Sequence, residues 1–61
     1  MFYIVVGAYS YEGENMSHAS PIYTSLQTAM AKAEQMAPEW DYVTVYALTE
    51  SDAPKVIHVI E

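Results

Sequence analysis

The stretch Asp41-Tyr42-Val43-Thr44-Val45-Tyr46-Ala47-Leu48 decides the fold class. Tyr42, Thr44 and Tyr46 fall on one parity and Val43, Val45 and Ala47 on the other, which is the period of a β-strand and not that of a helix. Small aliphatics on one side suit a sheet face packed beneath another layer. Tyrosines on the other suit a surface that is wet at one end of each ring or meets a partner. A strand of this kind needs neighbours, because an isolated hairpin is at best marginal in water. Working outward, the chain supplies three more strand-like runs and one helix.

Upstream, Phe2 to Tyr9 is nearly continuous in β-branched and aromatic residues and predicts a central strand. Its alternation sets Phe2, Ile4, Val6 and Ala8 against Tyr3, Val5, Gly7 and Tyr9. The polar stretch Ser10 to Ser17 follows, where Gly13 and Asn15 can take positive φ and make a turn. His18 to Tyr23 reads as a weaker strand, held to a sheet edge because Pro21 has no N–H for a ladder. Thr24 is placed to cap a helix, with Gln27 completing a capping box. Leu26, Ala29, Met30, Ala33, Met36 and Ala37 form its apolar stripe, opposite Gln27, Thr28, Lys32, Glu34 and Gln35. Pro38 ends the helix. After Trp40 and the Asp41–Leu48 strand, the connector Glu50-Ser51-Asp52-Ala53-Pro54 leads to a last strand from Lys55 to Ile60.

Alternating chain direction then predicts an α+β, ββαββ fold. It has one domain over residues 1–61, a single antiparallel sheet of order 2-1-3-4, and one helix on one face. The helix stripe is expected to meet Phe2, Ile4, Val6, Val43, Val45, Ala47, Ile57 and Val59. Tyr3, Val5, Tyr9, Tyr42, Thr44, Tyr46 and His58 are then expected on the uncovered face.

With 61 residues, the chain buries only about 60% of the surface its unfolded form exposes. Domains this small usually add disulfides, a metal or a second subunit, and this one has no cysteine. No His/Asp cluster offers a metal cage, so self-association or binding to something larger is expected. Eight acids against Lys32 and Lys55 give a formal charge of −6, which repels phosphate backbones and argues against direct nucleic-acid binding. Glu12, Glu14 and Asp41, with Glu39, Glu50 and Asp52, are available to a basic partner surface; alternatively they keep the domain soluble. Met1 runs directly into Phe2-Tyr3-Ile4-Val5-Val6 without a basic stretch. The apolar run is far shorter than the ~20 residues of a membrane span, so a cytoplasmic protein with no membrane contact is expected.

Catalytic signals are lacking. His18 and His58 are the only histidines, and neither has a nucleophile or a second ligand at a useful spacing. Glu12 and Glu14 lie in a turn that would not fix their geometry. A Gly-rich phosphate loop is excluded because the chain holds only Gly7 and Gly13. No enzyme activity and no cofactor are expected. The expected partner-binding residues are Tyr3, Tyr9, Tyr42, Tyr46 and His58 on the sheet, with Glu12, Glu14 and Asp41 beside it. Two readings stay open: a module that binds and occludes another protein, such as a host protein with a basic surface, or a structural homodimer formed through the tyrosine face.

The opening strand, Pro21-Ile22-Tyr23, a helix carrying Leu26, Ala29, Ala33 and Glu34, and the Val43-Thr44-Val45 strand together resemble small bacteriophage-encoded early, host-takeover proteins. Among them the pattern is similar to the T7-type inhibitors of bacterial RNA polymerase over roughly residues 19 to 46. The resemblance implies a modulator that blocks a host protein in the bacterial cytoplasm. Those inhibitors use basic residues on their last strands, where this chain has only Lys55, so no site residue is carried over.

Overall fold

A computed structural model describes residues 1–61. It contains β1 (Phe2–Tyr11), β2 (Glu14–Ala19), α1 (Leu26–Met36), β3 (Tyr42–Leu48) and β4 (Lys55–Ile60), with one turn of 3-10 helix, Ala37–Glu39, after α1. The four strands form one sheet of order β2-β1-β3-β4. Every neighbouring pair is antiparallel, so the architecture is the α+β arrangement that chain direction implies.

Local chemistry sets the boundaries. Glu12 (φ 51°) and Gly13 (φ 84°) both adopt left-handed backbone, the hand that lets a two-residue turn follow the twist of its flanking strands. The turn is therefore tight. Tyr11 pairs with Glu14 and Ser10 with Asn15, so Asn15 belongs to the ladder and not to the turn. The hairpin is longer than expected, and its second strand lies before Pro21 and not across it. At the join, Ser20 substitutes for the missing ladder: its Oγ accepts from Val5 N–H at 2.9 Å and donates to the Pro21 carbonyl at 2.8 Å. Beyond the proline the chain rejoins β1 through Tyr3 N–H to the Tyr23 carbonyl, 2.7 Å, and the reciprocal bond, 2.8 Å.

Helix α1 starts one residue later than the capping-box reading has it. Ser25, not Thr24, is the N-cap, with its side chain accepting from Thr28 N–H. Ala29, Ala33 and Met36 are its buried positions, while Leu26 is 44% exposed and stands outside the stripe. Alanines at two of the three contact positions let the helix lie close to the sheet. The core is Val5, Val43 and Val45 from β1 and β3 beneath Ala29, Ala33 and Met36, edged by Tyr3, Tyr23, Met30, Trp40 and Ile60.

One expectation is overturned. The helix covers the odd-numbered residues of β1, not Phe2, Ile4 and Val6, because the register pairs Val5 with Val45, Tyr3 with Ala47 and Gly7 with Val43. Trp40 shows the reason. After α1 the chain returns to the sheet by laying the indole on Gly7, where a Cβ would sit 2.6 Å from the ring. Only the parity that carries glycine leaves that space. A similar correction applies to β4. Val45 pairs with His58 and Tyr46 with Val56, with an irregularity between them that leaves Ile57 without a partner. Val56 and Val59 therefore share a face with Tyr46 and Thr44. His58 is on the helix side, although α1 packs on β1 and β3 and leaves His58 exposed.

Candidate interaction surface

The face of the sheet opposite the helix carries Phe2, Ile4, Val6 and Ala8 from β1, and Tyr42, Thr44, Tyr46 and Leu48 from β3. These are register partners in the order Phe2–Leu48, Ile4–Tyr46, Val6–Thr44 and Ala8–Tyr42. Val59 adjoins Thr44, and Val56 adjoins Tyr46. On the other side Ala19 adjoins Val6, and Ser17 adjoins Ala8. No charged side chain stands among these positions. Four of the apolar ones are substantially open to solvent: Phe2 49%, Tyr42 47%, Val56 52% and Val59 43%. Where Phe2 and Leu48 meet the β3–β4 connector, the face ends in an open depression of about 370 Å³ lined by Met1, Phe2, Leu48, Thr49 and Glu50.

The tyrosines expected to act together are divided between the two faces. Tyr42 and Tyr46 remain on the uncovered side. Tyr3 faces the helix and packs against the core. Tyr9 shares that side: its ring centroid is 5.2 Å from Trp40, and its hydroxyl donates to Met16 Sδ at 2.8 Å. His18, the register partner of Gly7, stacks on the indole at 6.2 Å between ring centroids. Tyr9, Trp40 and His18 thus form an aromatic cluster beside Gly7. Sequence reasoning missed it, although a glycine inside a strand of otherwise bulky residues signals the close approach of another group.

The acids do not gather into one patch. Glu12 and Glu14 lie at the β1–β2 turn, near Asp41, whose carboxylate accepts from Ser10 N–H at 3.4 Å. Glu50 and Asp52 lie in the β3–β4 connector, which the antiparallel register puts at the opposite end of the sheet. His18 and His58 lie on the two edge strands with β1 and β3 between them. No group of three or more His, Asp or Glu side chains is close enough to hold a metal ion. No helix is long and apolar enough to cross a membrane. Chemically, the uncovered face offers apolar contact area and two phenolic hydroxyls.

No protein-family model, curated protein or solved structure matches the chain.

Proposed function

We propose that the protein is a non-catalytic interaction module whose working surface is the uncovered face of its sheet. The observation that carries this reading is the continuity of Phe2, Ile4, Val6, Tyr42, Tyr46, Leu48, Val56 and Val59 on one face with no charge among them. An ordinary solvated sheet face alternates polar side chains outward, whereas large contiguous apolar patches mark contact sites. Covering a fully exposed side chain of this size contributes about 1.5–3 kcal/mol. Phe2, Tyr42, Val56 and Val59 start near half exposure, so each contributes roughly half of that when a partner covers it. Association itself costs at least ~4 kcal/mol in lost freedom of motion. The balance favours a modest, reversible contact.

Occlusion of another protein, the role implied by the resemblance to phage host-takeover proteins, would use this same face. The acids at the two ends of the sheet would then act as a charged rim that orients the approach of a basic surface.

Thr44 is the probe position. It is partly exposed near the middle of the face between Val6 and Val59, so Thr44→Lys puts a charge there without entering the core. The expected outcome is a variant with an unchanged circular dichroism spectrum that no longer retains the proteins wild type captures from a bacterial lysate, itself included. Equal capture by a folded Thr44→Lys variant would overturn the reading.

A further inference from the structure

We infer that β4 is a detachable strap, which opens from β3 while the rest of the fold stays closed, and whose docking completes the uncovered face. Its packing carries this. Helix α1 lies on β1 and β3, and the six buried residues of the core come from α1, β1 and β3 alone. Every residue from Lys55 to Val59 is exposed, and only Ile60 reaches the core, as a partly buried neighbour at its edge. What holds the rest of the strand is its ladder to β3, and that ladder is interrupted. Val45 pairs with His58 and Tyr46 with Val56, which leaves Ile57 between them without a partner. An extra residue of this kind disrupts the local backbone bonding. A segment with few buried apolar contacts and solvent-exposed backbone bonds opens at a lower free energy than the whole domain.

The other edge strand shows what β4 lacks. β2 is equally exposed along its length, yet it is tied at both ends. The tight turn Glu12-Gly13 joins it to β1. Just past its far end, Ser20 Oγ accepts from Val5 N–H at 2.9 Å and Ser20 N–H donates to the Val5 carbonyl at 2.8 Å. Between the two, His18 stacks on Trp40. β4 instead follows a longer connector, residues 49–54, whose bond from Asp52 N–H to Thr49 Oγ1 at 3.2 Å stays within the connector. Ile60 is the clasp that remains.

The consequence for the uncovered face rests on the interaction-module reading. Val56 and Val59 stand beside Tyr46 and Thr44, so opening carries two exposed apolar residues away from the face and bares the backbone edge of β3. The surface is whole only in the closed form. A partner that covers Val59 together with Thr44 therefore holds β4 shut, because a ligand that binds one of two states draws the population toward it.

Amide hydrogen exchange of the isolated protein, followed residue by residue by NMR, tests the opening without any partner. The β4 amides bonded to β3 are expected to exchange at least about tenfold faster than those shared by β1 and β3. Ile60→Ala removes the clasp and should speed β4 exchange by about a further tenfold, leaving the β1–β3 amides unchanged. Thr44→Cys combined with Val59→Cys sets two thiols on directly opposed residues of a chain that has no cysteine of its own. Forming that disulfide should slow β4 exchange to the rate of β1 and β3, and reducing it should restore the fast exchange. Wild-type β4 amides as protected as those of β1 and β3 would overturn the inference, because β4 would then belong to the same cooperative unit. An Ile60→Ala effect spread evenly over the sheet, or fast β4 exchange that persists in the disulfide form, would overturn it as well. Each of these results is independent of what Thr44→Lys captures, so the interaction-module reading stands or falls separately.

Discussion

The two faces of the sheet are built from neighbouring residues of the same strands and have opposite fates. Val5, Val43 and Val45 are completely buried, while Ile4, Val6 and Thr44, one position away in each case, are only partly covered. Both faces are apolar, so hydrophobicity alone does not distinguish them. What distinguishes them is the small helix above one, built on Ala29 and Ala33, and the single place where an indole fits against backbone. The lesson is that a central strand apolar on both parities carries two candidate cores, and a shape constraint chooses between them.

The largest test of that difference is Met36→Ala. Met36 is the one large side chain that α1 buries fully, and its loss should cost about 2–5 kcal/mol. In a domain of this size that is a large share of the total stability, and urea denaturation followed by circular dichroism should show a much lower midpoint. An unchanged midpoint would mean that the covered face is not the core.

Gly7→Ala addresses the shape constraint itself. The added methyl would enter the Trp40 ring, and overpacking of this kind costs about 1–3 kcal/mol. Trp40 is the only tryptophan, so its fluorescence reports directly whether the ring leaves its seat. An unmoved emission spectrum with full stability would remove the physical reason given for the parity of β1.

Exchanging valine and threonine on adjacent residues sharpens the comparison further. Val45→Thr puts a hydroxyl into the fully buried layer and, if left unpaired, should destabilise by roughly 1–3 kcal/mol. Thr44→Val, one residue away on the other face, should change monomer stability by no more than about 0.5 kcal/mol, while strengthening any association through that face. Similar losses from both exchanges would show the two faces to be equally buried.

Much of the architecture was legible in the sequence. The period of two in Asp41–Leu48, the helical stripe from Leu26 to Ala37 and the alternation of chain direction were enough for the ββαββ order and for its antiparallel sheet. Parity within β3 was equally clear, since Val43, Val45 and Ala47 are purely aliphatic whereas Tyr42, Thr44 and Tyr46 each carry a hydroxyl. Parity within β1 was not, because Phe2, Ile4 and Val6 look at least as core-like as Tyr3, Val5 and Gly7. The candidate site inherited that ambiguity. Tyr42 and Tyr46 were assigned to the uncovered face from sequence alone, whereas Tyr3, Tyr9 and His58 were assigned to it and belong to the other. Phe2, Ile4, Val6, Val56 and Val59 complete the patch in their place.

The sequence by itself determined the order of four strands and one helix and the extents of β3 and β4 to within a residue, because side-chain periodicity and turn chemistry act over a few neighbouring residues. The second strand, expected over His18 to Tyr23, lies instead at Glu14–Ala19. Only the tertiary structure decided which way β1 and β4 face. That choice depends on contacts between distant positions: Trp40 on Gly7, Ser20 Oγ on Val5 N–H, and the irregular pairing of β4 beside Val45 and Tyr46. A one-residue change of parity moves every side chain of a strand to the opposite face, and no local pattern records which parity the fold will use.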